Sequence, residues 1–254
     1  MQVVLPMEAV EAMLLAAVRI TAFIVIAPPF SHNAIPGRIK ATIGLGLALA
    51  VTPKLGADHQ LMDTGAFLGA VILELVTGAA LGFLVMVLFS AVQSAGGLID
   101  LFGGFAMAQG FDPQSMVNGA QFSRYFHWAA LALLVSSDGY QLVLGGLFRS
   151  FDAVPLGGGL ALGALADNLV HSVGQMFVAA IQIAGPLLVV LVLADIGLGL
   201  LTRAAPALNA FAMGFPLKIF LTLSLAGTVF VLLPSVVSAL VRSGLQAVGK
   251  VLGG

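Results

Sequence analysis

The chain has 254 residues, of which 60% are hydrophobic and 8% charged, and its mean hydropathy is +1.11. Soluble domains carry about a quarter charged residues, so water is excluded as the main solvent. Ten basic and 11 acidic residues, neither sign clustered, leave a net charge of -1 and no footprint for nucleic acid or a polybasic lipid anchor, and the lack of cysteine excludes disulfides, thiolate metal sites and cysteine nucleophiles.

Met1 to Pro6 is too short and too poor in basic residues for a cleavable signal, so the first apolar run is expected to stay in the protein. Roughly 20 apolar residues cross about 30 Å of hydrocarbon as a helix. Six segments approach that length: Ala12–Phe30, Ile39–Pro53, Ala66–Val92, Phe126–Phe148, Val173–Leu201 and Phe215–Pro234. The predicted fold is therefore all-α, a set of membrane-associated helical hairpins. The lengths are uneven: the second segment is short, and the third and fifth exceed one span. Ser136, Ser137, Asp138 and Gly139 interrupt the fourth, and Pro186 sits inside the fifth, which predicts bent or paired half-helices. Gln93 to Ser123 reads as the longest irregular stretch. Lysine and arginine do not alternate between loops in a way that sets an orientation. No charged linker or repeat divides the chain, so residues 1–254 are expected to form one domain.

The 31 glycines and 11 prolines fall largely within apolar runs, with close pairs at Gly44 and Gly46, Gly78 and Gly82, and Gly197 and Gly199. Small residues let helices approach closely once lipid removes the hydrophobic drive between them, so this chain is built to pack against other helices. Arg19, Glu74 and Asp195 lie inside apolar runs, where an ionised group costs on the order of 3 kcal/mol on insertion scales. Such charges serve a proton or ion relay, or they pair with a helix of the same or a neighbouring subunit. Three dispersed charges with no chain of His or Asp between them favour pairing. Asp195 and Arg203, eight residues apart, can share a helix face.

His32, His59, His127 and His171 are scattered singly, without metal-ligand spacing. Neither a G-x-S-x-G elbow nor a phosphate-binding G-x-x-x-x-G-K-[ST] loop is present, so hydrolase and nucleotide-driven readings lack their machinery and no cofactor is expected. An enzyme is disfavoured; an intramembrane hydrolase would have to use Asp195 with Asp100. The segment GGLIDLFGGFAMAQGFDP, residues 96–113, is apolar but rich in glycine. Gly103, Gly104 and Gly110 oppose a stable helix, while Phe105, Met107 and Phe111 supply soft bulk. It reads as a packed or re-entrant connection, or as a hydrophobic constriction that gates a pore.

From Ile183 the run IAGPLLVVLVLADIGLGLLTRAAPALNAFAMGFPLKIF resembles the signature of the FliR/SctT family of type III export-gate components. The likeness extends over nearly the whole chain: Arg19 with Ala27 and Pro28, Ile35 and Pro36 before Arg38, Glu74 with Gly78 and Gly82, Asp100, Asp112 with Pro113, and SFDAVPLG from Ser150 all fall in the family's order. Ala207, Phe102 and Tyr140 depart from it, standing where Gln, Gln and His are usual.

The resemblance implies a multi-pass protein of the bacterial inner membrane at the flagellar basal body. It implies one copy built into a helical hetero-oligomer with FliP-like and FliQ-like subunits, which docks a FlhB-like subunit and passes unfolded export substrates. Arg19, Glu74, Asp195, Arg203 and Lys218 then look like buried or inter-subunit charges. Gly103, Gly104, Phe105, Met107, Phe111, Asp112 and Pro113 look like a plug of the resting pore. The equivalent subunit of a virulence secretion system is the nearest alternative, and a proton-coupled small-molecule carrier using Glu74 and Asp195 a more distant one.

Overall fold

The computed structural model describes residues 6–32, 34–56, 59–105, 121–158, 162–205 and 210–251. Seven helices and no strand occur among them: α1 (Met7–Ile26), α2 (Gly37–Leu55), α3 (Thr64–Phe102), α4 (Gln121–Ser136), α5 (Gly139–Ala153), α6 (Leu162–Ala204) and α7 (Ala210–Val251). The fold class is all-α. Within hydrocarbon a helix satisfies every backbone group internally, which is why apolar runs of this length become helices whatever their residue propensities.

Stretches of α1, α3, α6 and α7 are long and apolar enough to cross a membrane, and α4 with α5 makes a fifth candidate if counted as one broken span. The break falls where the sequence places it: Asp138 adopts φ 54° between the two helices, a left-handed conformation that short polar side chains tolerate. α2 is helical but not among the spans, and its 19 residues carry Arg38, Lys40 and Lys54.

Two expectations are corrected. The stretch from Gln93 does not begin as irregular chain, because α3 continues to Phe102. Gly96 and Gly97 are tolerated there: a Cβ on Gly96 would lie 2.6 Å from the Phe122 carbonyl oxygen, so the glycine is needed for the close approach of α4. Nor does Pro186 break α6, and Pro216 and Pro234 likewise lie inside α7. A proline removes one helical hydrogen bond. Opening the rest of the turn in hydrocarbon would strand more, so the helix runs on.

By packing the chain forms two units that interleave along the sequence. Unit one comprises residues 1–88, 137–172 and 241–254, and unit two residues 89–136 and 173–240. The core of unit one holds Leu15, Ile20, Phe23 and Ile24 of α1 with Leu81 and Leu84 of α3 and Leu147 and Phe151 of α5. Its α1–α2 hairpin closes on Gly44, where a Cβ would stand 2.2 Å from the Thr21 hydroxyl oxygen. Unit two is centred on an aromatic series, Phe105 to Phe122 (5.2 Å between centroids), Phe122 to Phe126 (6.4 Å) and Phe126 to Phe230 (5.0 Å), with Ile99, Leu187 and Leu233 buried around it.

Candidate functional site

In unit one α1 crosses α3 at two glycines one turn apart. A Cβ on Gly78 would lie 2.1 Å from the Arg19 carbonyl oxygen, and one on Gly82 would lie 3.0 Å from that of Phe23. The small-xxx-small pair thus brings the two backbones into contact and sets the Arg19 side chain against Glu74, one turn before Gly78 on α3.

Arg19 is fully buried, and so is Glu74. The guanidinium grips the carboxylate with two parallel bonds, Nε to Oε2 and Nη2 to Oε1 (2.9 Å). Nη2 also donates to the Val154 carbonyl at 3.0 Å, and Nη1 to the Ser150 carbonyl at 3.1 Å and its hydroxyl at 3.3 Å. All five N–H groups of the arginine therefore have an acceptor, and the Phe151 ring lies 4.4 Å from Cζ in cation–π contact. Glu74 Oε1 accepts a further bond from the Gly157 N–H at 3.0 Å. Gly157 has φ +70°, and a Cβ there would meet Met62 Cε at 2.8 Å, so glycine is required to present that N–H. The centre thus pins three helices and the turn after α5 to one point.

A second buried carboxylate acts in unit two. Asp100 accepts the Phe122 N–H at 3.0 Å and the Ser123 N–H at 2.9 Å, capping the start of α4 from a neighbouring helix. Ser123 Oγ donates to the Gln93 carbonyl at 3.2 Å. α3 ends two residues beyond Asp100 in a glycine turn. Gly104 has φ +85°, and a Cβ on Gly103 would stand 2.6 Å from Thr222 Oγ1. Phe105, half-buried, then packs edge-on against Phe122.

The expected site residues separate accordingly. Arg19 and Glu74 meet directly. Asp195 pairs with Lys218 across α6 and α7 at 2.7 Å, not with Arg203, and that pair is at the surface of this chain, its side chains 47% and 22% exposed. Arg203 is exposed too. Of these three, expected as buried or inter-subunit charges, Asp195 and Arg203 are exposed in this chain and Lys218 is partly buried. Of the glycine-rich segment, Gly103, Gly104 and Phe105 are placed as above, while Met107, Phe111, Asp112 and Pro113 lie outside the described residues. Sequence reasoning missed two links in unit one. Glu11 Oε1 holds both His59 Nε2 (3.0 Å) and the Met62 N–H (3.2 Å), and Lys54 pairs with Asp152. Neither carries a motif; only the fold brings these residues together.

The order Arg19, Glu74 and Gly78, Asp100, Ser150 to Gly157 is thus the order of the two buried polar centres. The profile of the family described as bacterial export proteins, family 1, matches residues 10–244. The chain belongs to this family. Among individual relatives, "Flagellar biosynthetic protein FliR" of Pectobacterium carotovorum subsp. carotovorum is 30% identical over 217 residues, 85% of this chain and 83% of the relative. The protein of the same name from Escherichia coli (strain K12) is 30% identical over 207 residues, 82% and 79% of the two chains. "Yop proteins translocation protein T" of Yersinia pestis is 29% identical over 209 residues, 79% and 78%. This bacterial export protein is a multi-pass protein of the inner membrane, and its buried charges act as joints of the export-protein fold.

Proposed function

We propose that this chain is a structural, pore-forming subunit of the flagellar type III export gate. In this reading one copy assembles with FliP-like and FliQ-like subunits, contacts a FlhB-like subunit, and helps line the route by which unfolded flagellar proteins cross the inner membrane. The observation that carries it is the apolar surface left uncovered on α6 and α7, where only 28% and 22% of the most apolar stretch is buried against half for α3. Gly185, Gly197, Gly199 and Gly227 have open space where a Cβ would stand. Such faces accept a neighbouring helix at close range. The surface pair Asp195–Lys218 sits on them and becomes buried once a partner covers it. Gly103, Gly104 and Phe105, with Met107, Phe111, Asp112 and Pro113, form the plug of the resting pore in this reading, the glycines giving it room to move and the aromatic and Met side chains its apolar seal.

The intact mass of the complex tests this, after co-expression with P-type and Q-type subunits from the same operon and purification through a tag on this chain. One copy within a larger stoichiometric assembly is expected. A lone or self-associated species would overturn the proposal and favour a carrier, which in turn predicts proton-linked uptake into vesicles. The name of the Yersinia relative favours a virulence secretion system as the second reading, and rescue of motility against rescue of effector secretion separates the two.

A further inference from the structure

The chain has one tryptophan and two tyrosines, and Trp128 stands with Tyr125 on α4. Phe122, Phe126, Ala130 and Leu134 turn one face of that helix into the core of unit two. Gln121, Arg124, Tyr125, Trp128, Ala132 and Val135 recur at helical spacing on another face. All six are exposed, Tyr125 at 59% and Trp128 at 54%. Asp100 holds the start of this helix by accepting the Phe122 and Ser123 N–H groups.

The exposed face is graded along the helix axis. Polar and charged side chains come first, rings with one polar group next, and small aliphatic side chains last. Arg124 to Trp128 is one turn, about 6 Å, close to the depth of the headgroup layer, about 5–8 Å on each side of the hydrocarbon. The face turns polar again at Ser136, about 12 Å beyond Trp128, so its apolar part enters hydrocarbon without crossing it. Tyrosine and tryptophan collect at this boundary because each joins an apolar ring to a polar group, and a guanidinium beside them reaches the phosphates. A helix of another subunit fits this face poorly. α4 has no glycine, and Arg124, Tyr125 and Trp128 hold a neighbouring backbone away, whereas small residues mark close helix contacts.

We propose that the start of α4 is a membrane anchor, with Tyr125 and Trp128 at the headgroup boundary and Arg124 on lipid phosphates. Through the Asp100 cap this anchor fixes the depth at which the end of α3, with its Gly103–Gly104 turn, stands in the bilayer.

The single tryptophan makes this depth measurable in the full chain. With the protein dilute in phosphatidylcholine vesicles, lipid brominated near the headgroup end of the acyl chain is expected to quench Trp128 fluorescence more than lipid brominated near the methyl end. Trp128→Phe combined with Val135→Trp, both exposed positions, moves the probe about 10 Å along the same face and should reverse that order. Stronger quenching of Trp128 by the deep bromines would make this part of α4 the interior of an ordinary span and overturn the proposal. Quenching by aqueous acrylamide alone would place Trp128 in water, and quenching by neither agent would place it beneath a second copy of the chain; each overturns it too. An unreversed order in the double variant would mean that α4 lies along the surface without dipping into hydrocarbon, which removes the gradient and the anchor with it.

Discussion

A buried guanidinium is tolerated only where its donors are met, and Arg19 meets that condition with Glu74, Ser150 and Val154. Arg19→Ala strands the Glu74 carboxylate and is expected to destabilise the protein by about 3–5 kcal/mol, measured by unfolding in detergent micelles. Arg19→Lys should lose much of the same stability, because an ammonium cannot make the two parallel bonds. Replacing both partners, Arg19→Met with Glu74→Leu, should cost less than either single change, since no uncompensated charge remains; a larger loss would mean the pair itself is strongly stabilising. Asp195 behaves differently. Its pair with Lys218 is partly exposed, so Asp195→Asn should change the stability of the isolated chain by no more than about 1 kcal/mol and lower the yield of a complex only if a partner buries it.

Two elements depend on one carboxylate between them. Asp100 on α3 holds the first N–H groups of α4, and Gly96 one turn earlier lets the two backbones touch. Asp100→Ala should cost about 1–3 kcal/mol by leaving two N–H groups without acceptors and speed hydrogen exchange at Phe122 and Ser123; Asp100→Asn, which keeps one acceptor, should fall between. Unchanged exchange at both amides would show that water replaces the cap. At the crossing of α1 and α3 the constraint is steric. Gly78→Ala puts a methyl 2.1 Å from the Arg19 carbonyl oxygen, a distance that backbone cannot absorb without separating the helices. Its loss of stability should exceed that of Gly97→Ala on the same helix, where a Cβ meets nothing within 4 Å.

For the whole molecule the exposed apolar faces of α6 and α7 carry the functional consequence. A chain that leaves these faces bare needs lipid or other subunits around it, and the two covers differ in whether they bury Asp195 and Lys218. The plug can be tested without disturbing its root: Gly103 and Gly104 pack against α7 and Phe105 against α4, so deletion of residues 107–111 spares them. Within an assembled gate that deletion is expected to raise ion conductance with subunit composition unchanged. Equal conductance would remove these residues from the seal.

The sequence by itself determined that this is an all-helical membrane protein of the export family, with a break at Ser137 and Asp138 and with small residues where helices meet. All of these are local: hydropathy over about 20 residues, a polar pair inside an apolar run, and an ordered set of short motifs. Arg19, Glu74 and Ser150 to Gly157 were visible as separate signals, but their convergence was not, since the partners stand 55 and 131 residues apart along the chain. Helical spacing suggested Arg203 for Asp195, and only the packing of α7 on α6 supplied Lys218 instead. Likewise Gly103 and Gly104 end α3 as their sequence predicts, but the close approach of α7 to them, and of α4 to Gly96, belongs to the fold alone. Tertiary structure decided these points because a charge in a low-dielectric interior takes whatever partner the helix crossings bring within reach, and the crossings are set by which small residues face each other, a property of two segments at once.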